Sequence, residues 1–174
     1  MAEGRVRPAQ SHDLEALAWM HHASFVAGNG PHLPPARLAE LTPAAGLERW
    51  RRVLDERPRG AAVLVLEEAG RLVGTAGAGP NRGEEQVGEL YSLYVDPEQW
   101  GRGLGTRLHD AALEHLGLEG WPEAILWVLQ GNTGAQRFYE RLGWRLDGVR
   151  TEVWDAPTVR MRRSLLPASV TGER

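Results

Sequence analysis

The run Tyr94-Val95-Asp96-Pro97-Glu98-Gln99-Trp100-Gly101-Arg102-Gly103-Leu104-Gly105-Thr106 constrains the fold more than any other part of this chain. A strand-like segment passes through a glycine turn directly into a helix-period pattern. Glycines at 101, 103 and 105 lack the Cβ atoms that would obstruct a ligand, so backbone N–H groups of the turn can point at phosphate oxygens. A helix starting near Gly103 adds the positive end of its dipole. The spacing is not the Gly-x-Gly-x-x-Gly of a dinucleotide site, and a phosphate-binding P-loop needs a lysine, of which the chain has none. The turn therefore reads as an anion site of another kind.

The elements around it follow from periodicity. Glu89 to Val95 alternates and reads as a strand with Glu89, Tyr91, Leu93 and Val95 on one face. Helix 103–117 presents Leu104, Leu108, Ala111, Ala112 and Leu116 as an apolar stripe. Ala124 to Leu129 is a short apolar run suited to a buried strand, and Asn132 caps a helix over 133–142 that ends at Gly143. Upstream, Val6 to Pro8 reads as a strand. Ser11 or Asp13 caps a helix through Leu14, Leu17, Ala18 and Met20, which Gly28, Gly30, Pro31, Pro34 and Pro35 end. A second helix covers 44–57, with Leu47, Trp50, Val53 and Leu54 on one face. Ala62–Glu67 and Leu72–Ala78 flank a hairpin turn at Glu68-Ala69-Gly70-Arg71, and a loop holding Pro80, Asn81 and Gly83 follows. Segments at 144–146, 151–154 and 158–162 supply the last strands. The order β-α-α-β-β-β-α-β-α-β-β predicts a single α/β domain over 1–165, a mixed sheet flanked by helices, with 166–174 as a loose tail.

Composition narrows the function. The chain has 174 residues, enough for one domain that buries about two-thirds of its unfolded surface. Without cysteine there are no disulfides, thiol nucleophiles or cysteine metal sites. A net charge of −3 with dispersed arginines argues against a nucleic-acid partner. Residues 1–20 show neither a signal-peptide pattern nor a long apolar run, so a cytoplasmic protein with no membrane partner is expected. His21, His22 and His32 lack the spacing of a metal site, and none is expected.

The order of elements and two motifs resemble the GNAT superfamily, the Gcn5-related N-acetyltransferases. Their pyrophosphate loop is Arg/Gln-x-x-Gly-x-Gly/Ala. Here Trp100-Gly101-Arg102-Gly103-Leu104-Gly105 supplies both glycines in frame, with Trp100 departing at the first position and Gln99 beside it. The second motif, Asn132-x-x-Ala135-x-x-Phe138-Tyr139-Glu140-x-x-Gly143-Trp144, is similar to the family's Asn-x-x-Ala-x-x-Phe-Tyr-x-x-x-Gly-Phe, with tryptophan closing it. The match is strong over 88–146, while residues 1–60 agree only in element order.

The resemblance implies acetyl-CoA as co-substrate and a primary amine as acceptor. It implies a CoA site formed by Leu93, Tyr94, Val95, Trp100, Gly101, Arg102, Gly103, Leu104, Gly105, Thr106, Asn132, Ala135 and Phe138. The pantetheine arm would add beside strand 89–95 and bond the backbone at Leu93 and Val95, the strand splaying from 124–129 just beyond them. Arg102, and Arg107 in the first helical turn, would pair with phosphate oxygens. Tyr139 corresponds to the tyrosine that protonates the departing thiolate; the competing reading is a core aromatic beside Phe138. Glu89 corresponds to a general-base glutamate; the competing reading is an exposed charge in the cluster Glu84, Glu85 and Glu89. Asn132 serves as helix cap, as pantetheine ligand, or as both. The acidic cluster favours a small cationic amine as acceptor. A protein N-terminus or lysine, and a non-catalytic acyl-CoA-binding regulatory module, are the alternatives. A homodimer is left open.

Overall fold

The computed structural model describes residues 4–166. All but the first residue of the expected tail lies outside that range. Strand β1 (Arg5–Pro8) leads to helix α1 (Leu14–Asn29), a short α2 (Pro35–Glu40) and α3 (Pro43–Asp55). Strands β2 (Ala62–Glu68), β3 (Arg71–Pro80) and β4 (Val87–Val95) follow, then α4 (Leu104–Leu118), β5 (Glu123–Leu129), α5 (Thr133–Arg141), β6 (Arg145–Val153) and β7 (Ala156–Ser164). The strands form one mixed seven-stranded sheet in the order β1-β2-β3-β4-β5-β7-β6, in which β4 and β5 are the parallel pair.

Helices cover both faces, which is why β2 reads as a continuous apolar run. Val63 and Val65 pack with Leu17, Ala18, Met20 and Trp50 of α1 and α3, while Leu64 and Leu66 pack with Leu104 and Leu108 of α4. Ala69 and Gly70 both have positive φ, so the β2–β3 link is a two-residue hairpin turn. Thr42 caps α3 by accepting from Ala45 N at 3.3 Å, with Pro43 in the first turn.

Several elements differ from the sequence expectation. Helix α1 has no side-chain cap. The Asp13 carboxylate instead accepts from Gln10 N and from Arg7, whose guanidinium also reaches Glu67, so this cluster clamps β1, β2 and the start of α1. Helix α1 continues through Gly28 to Asn29, and α2 stands where only breakers were expected; Pro35 opens it, because proline at a helix start loses no hydrogen bond. Residues 144–146 and 151–154 belong to one strand, β6, interrupted by an irregularity between Leu146 and Arg150. Strand β4 contains a bulge: Gly77 pairs with Ser92 and Ala78 with Leu90, leaving Tyr91 as the extra residue. Glu89 therefore does not share a face with Leu93 and Val95.

A buried polar contact joins α4 to the start of β6. His109 Nε2 accepts from the fully buried Trp144 indole N–H at 2.9 Å, and His109 Nδ1 lies 2.9 Å from Asp110 Oδ1. This arrangement needs a neutral ring, and burial holds the His109 pKa below its usual value. His21, buried on α1, is pushed down to about 3 by desolvation and by Arg49. The unfolded chain then takes up protons at a higher pH than the folded one, so stability falls as pH drops below about 6.5, by up to about 1.4 kcal/mol per unit for each ring. Melting curves between pH 7.5 and 5 are expected to show this fall, and a flat profile contradicts it. His109→Leu strands the Trp144 N–H and is expected to cost about 1–3 kcal/mol at neutral pH in urea unfolding.

Candidate active site

The pairing of β4 with β5 covers only Val87↔Glu123, Gly88↔Ala124 and Glu89↔Ile125. From Leu90 onward the strands part, while β4 stays paired to β3 through Val95. The opening thus begins before Leu93 rather than beyond Val95, and both residues lie inside it. Asp96 N donates to Val73 O at 2.9 Å. In an antiparallel ladder such bonded positions alternate, so the N–H and C=O groups of Tyr94 and Ser92 face β3 and those of Leu93 and Val95 face the opening. Strand β4 therefore presents free backbone donors to a cleft of about 980 Å³.

The glycine turn forms one end of this cleft. Gly101 and Gly103 have φ of +78° and +77°, and nothing lies within 4 Å of a Cβ built on either. Both are needed for backbone conformation, and both leave open space above the turn. Gly103 is the N-terminal cap of α4, so the first N–H groups of that helix face the opening. Gly105 lines the cleft and also faces α5. Its Cβ would meet Phe138 Cζ at 3.4 Å, so it marks the approach of α5 to α4. Gly101→Ala and Gly103→Ala are each expected to cost about 1–2 kcal/mol in chemical unfolding. Gly105→Ala, helical and within ordinary contact, is expected to cost nothing or to stabilise. Equal losses at all three positions would contradict this division.

Trp100 donates its indole N–H to Val95 O at 2.7 Å, which occupies that carbonyl and leaves the Val95 N–H free. Arg102 is committed elsewhere: it pairs with Glu68 at 2.8 Å and contacts Gln99, and it does not line the cleft. Arg107 is bonded to Gly4 O. The expected Arg102 and Arg107 contacts to phosphate would require these partners to be exchanged. Every other predicted cofactor residue lines the cleft: Leu93, Tyr94, Val95, Trp100, Gly101, Gly103, Leu104, Gly105, Thr106, Asn132, Ala135 and Phe138.

Asn132 caps α5, its side chain accepting from Ala135 N at 3.0 Å. Its amide donates to Asn29 Oδ1 at 3.0 Å, and Asn29 donates to the Tyr94 hydroxyl at 3.2 Å. Asn29, which no sequence motif marks, thus ties both walls of the cleft to the end of α1. Tyr139 lines the cleft from α5, with its ring against Phe138 and Trp144. Among the described residues nothing hydrogen-bonds its hydroxyl, and burial holds the phenol well above its usual pKa, so it is protonated at neutral pH.

A second hollow of about 630 Å³ adjoins the first, the two sharing Tyr91, Ser92, Tyr94 and Trp154. Glu89 lines it, accepting from Asn81 Nδ2 at 2.7 Å, and burial raises its pKa. The tyrosine and the glutamate therefore stand in neighbouring hollows. The expected acidic cluster does not form: Glu84 is paired with Arg160 and Arg162 of β7, and Glu85 is exposed. His21 lines this hollow beneath Tyr94, at 4.6 Å between ring centres, whereas His32 lies against Gly131. Trp154 of the β6–β7 turn lines both hollows. Trp154 packs on Phe25 at 5.0 Å and Asp155 pairs with Arg37 at 2.7 Å, which hold two consecutive non-glycine residues at positive φ.

A mixed sheet parted at its one parallel pair, with a glycine turn and a helix N-terminus at the end of the opening, defines an acetyltransferase type of fold. The chain belongs to the acetyltransferase (GNAT) family, whose model matches residues 16–144. It is 35% identical over 150 residues to a mycothiol acetyltransferase of Kocuria rhizophila, an alignment covering 82% of this chain and 47% of that one. With a mycothiol acetyltransferase of Thermobispora bispora it shares 39% identity over 94 residues, 50% of this chain and 32% of the other. The chain thus spans less than half the length of these relatives. Among solved structures, the PaiA N-acetyltransferase of Thermoplasma acidophilum in complex with coenzyme A superposes with a TM-score of 0.74 at 17% identity, covering 93% of this chain and 99% of that one. A ribosomal-protein-alanine N-acetyltransferase of Brucella melitensis gives 0.73 at 25% identity, covering 92% and 99%.

Proposed function

We propose that this chain transfers an acetyl group from acetyl-CoA to the primary amine of a small molecule, by direct attack in a ternary complex. The observation that carries this reading is the separation of β4 from β5, which leaves the Leu93 and Val95 N–H groups free between a glycine turn and a second hollow. Acetyl-CoA fits that opening in chemistry: free strand-edge groups suit an amide-bearing pantetheine arm, and the N-terminus of α4 suits a pyrophosphate. It supplies the thioester. Residues Leu93 to Val95, Trp100, Gly101, Gly103 to Thr106, Asn132, Ala135 and Phe138 are the ones assigned to hold it, and Arg102 would join them only by releasing Glu68.

The chain's own groups move the protons. Glu89, directly or through water, takes one proton from the ammonium so that the nitrogen lone pair can attack. The Val95 N–H polarises the thioester carbonyl. As the C–N bond forms and the C–S bond breaks, Tyr139 gives its proton to the sulfur. The second amine proton, released with the amide, restores Tyr139 through water. The second hollow, about 630 Å³ and walled on one side by Trp154, is of a size for a small acceptor. The mycothiol acetyltransferase names among the relatives agree with an acceptor of that size.

Acetyl-CoA titration followed by thiol release over a panel of primary amines tests the reading. Saturable binding with amine-dependent thiol release is expected. Tight binding without turnover of any amine would favour a non-catalytic module, and no binding would overturn both.

A further inference from the structure

The second hollow carries the opposite charge balance from the one its glutamates suggest. Arg49, Arg52, Arg57 and Arg82 line it, against Glu56 and Glu89. None of these four arginines is ion-paired to a carboxylate among the described residues. All four are solvent-exposed, so they form a cationic rim to the hollow. Arg49 is the best placed of the four. Its Nη2 lies 3.2 Å from both ring nitrogens of buried His21, a position over the imidazole face, and its guanidinium sits 5.9 Å from the centre of the Trp50 ring. Those contacts hold the guanidinium against the two rings and leave other N–H groups unassigned. The adjacent Trp50 indole N–H is buried without an acceptor. Glu89, at the far wall on β4, is already held by Asn81.

We infer that the acceptor carries a carboxylate beside its amine, and that Arg49, fixed by His21 and Trp50, is the residue that selects it. The amine end rests on the acetyl-transfer reading above; the carboxylate end rests on the unpaired arginines alone. A fixed guanidinium takes a carboxylate through two parallel hydrogen bonds, which orients as well as attracts. The negative group then places the amine toward Glu89 and the mouth of the larger cleft. A simple diamine or alkylamine would meet a surplus of positive charge instead. The acceptor class is thus an amino acid or a comparably small amino carboxylate.

The test compares amino acids with the corresponding amino-acid amides on the whole chain. Two readouts are used: quenching of tryptophan fluorescence, since Trp50 and Trp154 line the hollow, and thiol release with acetyl-CoA present. The acids are expected to bind at least about tenfold more tightly than the amides. Arg49→Gln is expected to close that gap, raising KM for the acids about 10- to 100-fold with acetyl-CoA affinity unchanged, and Arg49→Lys to recover part of it. Equal binding and equal KM of acids and amides by the wild-type chain would overturn the inference, whether or not a variant folds. Selective binding of acids with no thiol release would uphold the carboxylate site and overturn the acetyl-transfer reading. Thiol release that ignores the carboxylate would do the reverse.

Discussion

Tyr139→Phe is expected to lower kcat by about 10² to 10³-fold while leaving the Kd for acetyl-CoA unchanged. The phenyl ring keeps its contacts with Phe138 and Trp144, so only the hydroxyl is lost. Without that proton donor, sulfur departs as a free thiolate, which is the costlier leaving group. Because burial raises the phenol pKa, the wild-type enzyme should hold its activity to the alkaline side of neutrality with no decline from Tyr139. A variant with normal turnover would return Tyr139 to the role of a core aromatic.

Glu89→Gln is expected to reduce kcat/KM by about 10²-fold or more near neutral pH, and to change the pH profile. Burial lifts the Glu89 pKa above the ordinary carboxylate value, the Asn81 hydrogen bond and Arg82 pulling partly back. Below its pKa the carboxyl is protonated and cannot take a proton from the ammonium, so the wild-type rate falls on the acid side at a pH higher than a solvated glutamate would set. Glutamine keeps the Asn81 contact and cannot titrate, so that limb disappears with the activity. The same acid limb surviving in the variant would assign it to another group.

The stretch from 88 to 146 was legible because its signals are local. Glycines at positive φ, a capping asparagine and two apolar periods each specify their own turn or helix, and β4, α4, β5 and α5 stand where those patterns place them. The bulge at Tyr91 carries no such signal. It depends on pairing with Gly77 and Ala78 of β3, and it moved Glu89 from the face of Leu93 to the hollow under α1 and α3. Long-range partners were equally hidden: Glu84 looks like part of an acidic patch until Arg160 and Arg162 come across from β7. Arg102 looks like a free cation until Glu68 meets it. The second hollow was the least legible part. His21, Arg49 and Trp50 come from two helices whose sequences show only amphipathicity, and Trp154 reaches the hollow through a turn that contains no glycine. Trp100, the departure from the family loop, also has a local task, since its indole holds the Val95 carbonyl.

The opened edge of β4 and the glycine turn are together proposed to hold acetyl-CoA. Residue-resolved amide hydrogen exchange with and without acetyl-CoA tests it directly, because the Leu93 and Val95 amides have no β5 partner in the free protein. Added acetyl-CoA is predicted to slow exchange at Leu93, Val95 and the amides from Gly101 to Thr106. Binding that leaves those amides unprotected, or that protects a different edge of the sheet, would contradict the account.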